Sequence, residues 1–174
     1  MEFVSNNIIL TGITKTDAED ITADMQDKEI YEGTLRIPFP YNIEHAIAWV
    51  QDNHTFEEEQ GFKKNYAIRN DTGEMLGSIG LHFNYGYAGY KSEFGYWLGK
   101  AHRNQGIMTE AIKLFAQLVK QQYKLNSLEA HVFDFNKASQ RVLKKAGFTE
   151  YELIADYYEK DGQPISAIKF ALLL

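Results

Sequence analysis

The chain contains 174 residues, 44% of them hydrophobic and 24% charged, with a formal net charge of −6 and no cysteine. This length and composition predict a single folded domain over residues 1–174 and exclude a disordered chain. The negative charge disfavours nonspecific nucleic-acid binding, and the lack of cysteine excludes disulfides, thiolate catalysis and cysteine-ligated metals.

The N-terminal residues do not have the pattern of a signal peptide, and no apolar run is long enough to span a bilayer. We therefore expect a cytoplasmic protein that binds neither membrane nor nucleic acid. Its histidines show no metal-ligand spacing, so no metal site is predicted. These histidines are His45, His54, His82, His102 and His131.

In the first half of the chain, helix caps and turn residues separate the predicted elements. Thr16, followed by Glu19 three residues later, has capping-box spacing, and Asn42 is expected to cap a second helix. Pro38 and Pro40 exclude regular structure around them. The predicted elements are strand 7–12, helix 16–27, loop 36–41, helix 42–60 and strands 65–69 and 75–83.

The second half alternates strands and helices before a final strand pair. A long helix from Ile107 to Tyr123 carries apolar residues at helical spacing. The predicted elements are strand 93–99, turn 102–106, helix 107–123, strand 127–133, helix 136–146 and strands 148–159 and 165–173. This order predicts an α/β fold with a mixed sheet, in which the strands flanking the long helix are parallel.

The turn before the long helix is the most informative segment. A strand that feeds a helix through a tight turn directs free N–H groups and the positive end of the helix dipole into that turn. The turn therefore predicts an anion site, most commonly a phosphate site. Neither a Walker loop nor a dinucleotide fingerprint matches the residues, which instead read R-x-x-G-x-x from Arg103 to Met108.

A second motif follows thirty positions after Gly106, where Asn136 and Ser139 form N-x-x-S ahead of L-x-K-x-G-F. The two motifs, in this order and at this separation, resemble the GNAT superfamily of acyl-CoA-dependent N-acyltransferases. The resemblance covers the whole chain. It is greatest to the branch of ribosomal-protein N-terminal acetyltransferases (RimJ/RimL-type), whose strand resembles the segment E-F-G-Y-W-L that begins at Glu93, and whose first half carries a piece like R-I-P-x-P-Y at Arg36.

The resemblance implies a GNAT-like fold. It has a mostly antiparallel sheet of about six to seven strands, about four flanking helices and a splayed parallel strand pair. It also implies acetyl-CoA as cosubstrate, with its pyrophosphate on the turn and its pantetheine paired to the strand backbone. Met108 stands where the family has a small residue, so its side chain must point into the helix packing. The implied cofactor-binding residues are Trp97, Leu98, Arg103, Asn104, Gln105, Gly106, Ile107, Met108, Thr109 and Asn136.

Two residues are implied to act in catalysis, each with an ordinary structural alternative. Glu93 resembles a glutamate that many relatives have at this point of the strand, which implies a role as general base. Its structural alternative is a glutamate at the end of a strand, exposed to water. Ser139 resembles the residue of this branch that is proposed to protonate the leaving thiolate. Its structural alternative is an ordinary capping residue in the first turn of a helix. Asn136 is expected to cap the same helix, and Arg103 either contacts phosphate or is a surface arginine.

The acceptor is expected to be an amine, with Tyr41, Tyr85, Tyr87 and Tyr158 as candidate lining residues or ordinary packing residues. Tyr158 stands near a position where this branch can carry a carboxylate, and Asp156 and Glu159 flank it. An α-amine, whose pKa is near 8, is about a quarter neutral at pH 7.4, whereas a lysine amine is about one part in a thousand neutral. A protein N-terminus is therefore the preferred acceptor for this enzyme, which we expect to be a monomer or homodimer. A polyamine or other small amine, and a non-catalytic acyl-CoA-binding module, are the alternatives.

Overall fold

A mixed β-sheet with helices on both faces forms the centre of the molecule. The computed structural model describes residues 3–5, 7–82 and 92–174, and within them eight strands form one sheet in the order β1-β2-β3-β4-β5-β6-β8-β7. The strands are β1 Phe3–Ser5, β2 Ile8–Thr11, β3 Asn65–Arg69, β4 Met75–Leu81, β5 Ser92–Leu98, β6 Ser127–Phe133, β7 Thr149–Lys160 and β8 Gln163–Leu173.

The described residues also form five α-helices and two short 3₁₀ turns. The helices are α1 Ala18–Asp24, α2 Lys28–Gly33, α3 Ile43–Gln60, α4 Ile107–Tyr123 and α5 Lys137–Lys145, and the 3₁₀ turns are Lys15–Asp17 and Lys100–His102. All neighbouring strands are antiparallel except β5 and β6. The predicted fold class is confirmed, including the parallel pair around α4.

The core lies in two layers, one on each face of the sheet. The larger cluster packs α4 and α5 on one face, with Phe115, Leu118 and Phe170 fully buried. A smaller cluster packs α1, α2 and α3 on the other face around Ile21 and Val50. Every residue of β4 is buried, as expected for a central strand covered on both faces.

Most predicted boundaries agree with the structure because their signals are local. α4 and β6 have the predicted limits, and Asn42 Oδ1 accepts the His45 N–H to cap α3. Gly61 ends α3 with a φ of +77°. Asn136 and Ala146, predicted as helical, are the capping residues of α5.

Three features near the N-terminus differ from the predictions. Thr14, and not Thr16, caps the 3₁₀ turn that leads into α1, because the buried Asp17 carboxylate accepts the Thr14 N–H at 2.7 Å and pairs with Arg69. α1 ends at Asp24, before the predicted limit at residue 27, and Asp27 caps a separate helix, α2, that was not predicted. The structure adds the three-residue edge strand β1, which is too short to show a period in the sequence.

Candidate active site

A gap opens in the sheet where β5 and β6 separate. Within the part of the chain that the structure describes, the two strands pair only at Ser92 with Leu128 and at Glu93 with Glu129. Beyond Glu93, β5 pairs with β4 alone, so the edge of residues 94–98 that faces β6 has no strand partner. Trp97 packs beside the α1–α3 cluster and Leu98 lies in the larger core. The backbone at these two predicted residues can therefore pair with an extended amide-containing ligand.

The turn between β5 and α4 presents backbone donors. Asn104 and Gly106 both adopt the left-handed region, with φ of +62° and +80°, and they reverse the chain into the helix. Among the described residues, no acceptor meets the N–H groups of residues 104–109. These N–H groups and the dipole of a 17-residue helix form an arrangement that can bind an anion.

The side chains of the turn divide between the core and an open pocket. Met108 is buried in the larger core, as predicted, so its side chain leaves the turn open. Gln105 donates to the Ala101 carbonyl at 3.0 Å. A pocket of about 450 Å³ lies beside the turn. Its lining includes Gln105, Gly106, Ile107, Thr109 and Lys145.

The Arg103 side chain holds the turn against α2. Its guanidinium forms ion pairs with Asp27 at 2.6 Å and Glu29 at 2.7 Å, and its Nε donates to the Leu98 carbonyl at 3.1 Å. A guanidinium has five N–H groups, so these contacts are compatible with the expected additional contact to a phosphate. In this structure Arg103 positions the turn and its N–H groups through packing and charge.

A pair of hydroxyl groups lies on the α4–α5 face of the gap. Ser139 Oγ lies 2.7 Å from the Tyr96 hydroxyl, and Asn136 Oδ1 accepts the Ser139 N–H to cap α5. Burial raises the pKa of the Tyr96 phenol, and the hydrogen bond with Ser139 offsets only part of that rise. Both groups therefore keep their protons at neutral pH and can donate to a developing anion. Asn136 also approaches α2, since a β-carbon at Gly33 would lie 3.0 Å from its Nδ2.

The Glu93 carboxylate lies on the opposite face, because side chains alternate along β5. Its Oε1 accepts from the Tyr158 hydroxyl at 3.2 Å and lies 3.4 Å from His131 Nδ1 and 3.8 Å from His82 Nδ1. Burial raises the pKa of Glu93, but the two imidazoles outweigh burial and hold that pKa well below its usual range. The site thus contains a carboxylate that is ionised at neutral pH and lies beside two imidazoles.

Several functional candidates became visible only through these contacts. His131 and His82 were considered in the sequence only as metal ligands, and Tyr96 only as part of a strand. The alternation of apolar and polar residues in 127–133 could have predicted that the His131 side chain lies on the face away from the core. It could not have predicted that His131 lies beside Glu93. Gly95 makes room for His82, because a β-carbon there would lie 2.6 Å from the imidazole Nε2.

The predicted acceptor residues have different positions. Tyr158 contacts Glu93, whereas Tyr41 is buried in the α1–α3 cluster and its ring lies against His45. We therefore leave Tyr41 out of the acceptor site. Tyr85 and Tyr87 lie outside the described residues. Asp156 and Glu159 are both exposed.

The described residues contain neither a candidate metal cluster nor a candidate membrane-spanning helix. In residues 3–5, 7–82 and 92–174, no group of three histidine, aspartate or glutamate side chains is arranged to hold a metal ion. No helix in the same part of the chain has the length and apolarity needed to cross a membrane.

Comparisons with known proteins agree on the fold and the class of enzyme. Residues 7–149 match the family model described as an acetyltransferase (GNAT) domain. The chain is 40% identical over 145 residues to a probable N-acetyltransferase, YjcK, of Bacillus subtilis. The aligned region covers 81% of this chain and 80% of the relative.

Two solved structures share the fold over nearly their whole length. RimL, a ribosomal alpha-N-protein acetyltransferase in complex with coenzyme A, has a TM-score of 0.88 at 17% identity, covering 100% of this chain and 98% of its own. The microcin self-immunity acetyltransferase MccE, in complex with acetyl-CoA and AMP, has a TM-score of 0.84 at 18% identity, covering 98% and 94%.

Proposed function

The chain belongs to the GNAT acetyltransferase family, and on that premise we propose that it transfers acetyl from acetyl-CoA to the α-amine of a protein or peptide N-terminus. The observation that carries this proposal is the ionised Glu93 carboxylate beside two imidazoles at the closed end of the gap. A fixed negative charge attracts an ammonium group, and an α-amine needs little help to become neutral. The fold shared with RimL supports a protein acceptor.

The cosubstrate fits the free backbone groups on one side of the gap. In the proposed complex the N–H groups of residues 104–109 hold the pyrophosphate, and the unpaired edge at Trp97 and Leu98 pairs with the pantetheine amides. Both are main-chain contacts, which explains why apolar side chains are sufficient there. Asn136 contributes by fixing the start of α5.

The chemistry needs a neutral amine, a donor for the developing oxyanion and a proton for the leaving thiolate. The amine attacks the thioester carbonyl directly, because the chain has no cysteine to carry an acyl group. Ser139, in contact with the Tyr96 hydroxyl, supplies the proton for the thiolate. Glu93 and Tyr158 form the acceptor side of the site.

The test is a thiol-release assay with acetyl-CoA across a panel of amines. The panel contains peptides with different N-terminal residues, the same peptides with a blocked N-terminus and an internal lysine, spermidine and an aminoglycoside. We expect release with the free N-termini and none with the blocked peptides, and mass spectrometry should find the new acetyl group on the terminal amine.

Activity confined to spermidine or the aminoglycoside would reject the N-terminal acceptor and favour a small-amine acetyltransferase. A second control addresses binding without catalysis. Ser139→Ala should lower kcat while calorimetry still detects acetyl-CoA binding, because the hydroxyl is needed for the thiolate and not for the pyrophosphate.

A further inference from the structure

At the closed end of the gap, a buried imidazole nitrogen has no hydrogen-bond partner among the described residues. The His131 side chain is only 9% exposed, and none of the described residues accepts from or donates to its Nδ1 with good geometry. Buried polar atoms are almost always paired, so this nitrogen needs an explanation. Glu93 Oε1 lies 3.4 Å away, a contact that is long for a hydrogen bond but short enough to tighten when a ligand fills the site.

The position of His131 places it next to the reacting groups. Glu93 is the last residue of β5 that pairs with β6, where its partner is Glu129. His131 lies two residues beyond Glu129 on β6. Both side chains are therefore at the point where the strands separate. The imidazole stacks on Tyr157, with ring centroids 4.6 Å apart and planes 23° apart, which fixes its orientation.

Glu93 itself is poorly suited to accept the amine proton. Its pKa is held far below that of an α-amine, so proton transfer from the amine to this carboxylate is strongly uphill. Imidazole, with an ordinary pKa near 6.5, is much closer to an amine near 8. The carboxylate is better placed to orient an imidazole and to stabilise its cation, the role that an aspartate has in catalytic triads.

We propose that His131 accepts the proton of the attacking amine, and that Glu93 is a positioning residue that holds the Nδ1–H tautomer of this imidazole. The proposal rests on the proposed N-terminal acetyltransferase function. With Nδ1–H directed at Glu93, the lone pair of the ring is on Nε2. The other groups around the imidazole are Tyr157 and Tyr158 of β7, His82 after β4, and the Lys169–Glu129 ion pair of β8 and β6.

The proton and electron movements balance without a further reactant. The amine nitrogen attacks the thioester carbon, a C–N bond forms and the carbonyl electrons move to oxygen. The nitrogen then gives one proton to His131 Nε2. Collapse of the intermediate breaks the C–S bond, and the thiolate leaves with the bonding pair and takes a proton from Ser139. His131 releases its proton to water, and Ser139 regains one from water.

The experiment compares His131→Gln with His82→Gln and with His45→Gln, a control on α3 outside the gap. The acceptor is a free N-terminal peptide, and kcat/KM is measured on both sides of neutral pH. We expect His131→Gln to lower kcat by about a hundredfold near pH 7 with little change in the KM for acetyl-CoA. The loss should shrink at alkaline pH, where the amine is neutral without a base.

A pH profile for His131→Gln that matches wild type and His45→Gln would overturn the proposal. So would a larger loss in His82→Gln than in His131→Gln, which would assign the base to His82. If wild type binds acetyl-CoA by calorimetry but acetylates no N-terminal peptide, the proposed function itself fails, which is a different result from a normal rate in His131→Gln.

Glu93→Gln provides a second variant in case His131→Gln does not fold. Without the carboxylate an imidazolium gives up its proton more easily, so the acid limb of the pH profile should move to lower pH. An acid limb that stays in place in Glu93→Gln would contradict the proposed pair, even if kcat falls.

Discussion

At the scale of single residues, the backbone conformation of Gly106 shapes the turn that we propose as the pyrophosphate site. Its φ of +80° lies in the left-handed region, which costs an L-residue with a β-carbon about 1 kcal/mol or more. The glycine turns the chain into α4, whose first residues line the open pocket. The residue's importance is thus conformational, and it follows from the absence of a side chain.

Gly106→Ala should weaken acetyl-CoA binding by about tenfold or more, because strain in the turn and a new methyl group disturb the N–H cradle. Gly61→Ala is the matched control. Gly61 has a φ of +77° and, like Gly106, no atom within 4 Å of an added β-carbon. Calorimetry should find similar losses of folding stability in the two variants but weaker binding only in Gly106→Ala. Equal affinities would place the pyrophosphate elsewhere.

The sequence motifs identified residues that surround the gap, but they did not identify the contacts that these residues make. Gly106, Asn136 and Ser139 were found from local spacing, because a turn and a helix cap depend on neighbouring residues. The partners of Arg103 and Glu93 were not predictable in this way. Each is separated by many residues from the side chains it contacts, and an ion pair leaves no periodic pattern in the sequence.

At the scale of elements, α2 connects the cofactor side of the molecule with the terminal hairpin. Its first residues, through Asp27 and Glu29, hold Arg103 of the turn. At its other end, Lys160 donates to the Tyr31 and Thr34 carbonyls, and Asp161 accepts from the Tyr31 hydroxyl. This short helix was not predicted, since its six residues bury only Ile30 and are too few to show a helical period.

The two carboxylates that hold Arg103 should contribute unequally. The Asp27 side chain is 11% exposed, whereas that of Glu29 is 67% exposed. Asp27→Asn keeps a good helix cap but removes the buried charge, and it should lower the free energy of unfolding by about 1–3 kcal/mol. Glu29→Gln should cost less than about 1 kcal/mol because water screens that pair.

Urea denaturation at neutral pH measures both changes. Equal effects of Asp27→Asn and Glu29→Gln would show that burial does not distinguish the two ion pairs.

At the scale of the whole molecule, the divergence of β5 and β6 joins the two faces of the sheet. The hydroxyl pair of Tyr96 and Ser139 lies on the α4–α5 face, and the Glu93 cluster lies on the other. A ligand inserted along the free edge of β5 can meet both sets of groups. In the proposed reaction, the sheet would bring the proton donor and the proton acceptor to opposite sides of the reacting thioester.

Acetyl-CoA should protect backbone amides on this edge from hydrogen exchange. We expect slower exchange in residues 94–98 and in the turn 104–109 when the cosubstrate is present, because its amides and phosphates become hydrogen-bond partners. The β7–β8 hairpin is the internal control and should change little. Protection limited to the hairpin would contradict the proposed binding path.

By itself the sequence predicted most of the elements in their order, the tight turn before α4 and the family, because periodicity, caps and motif spacing are properties of neighbouring residues. Only the tertiary structure decided that Arg103 binds carboxylates of α2, that Tyr41 belongs to the core and that Glu93 meets His131. These outcomes depend on which strands pair and where they part. Long-range packing therefore determines which side chains become partners, because the sequence alone does not distinguish one distant partner from another.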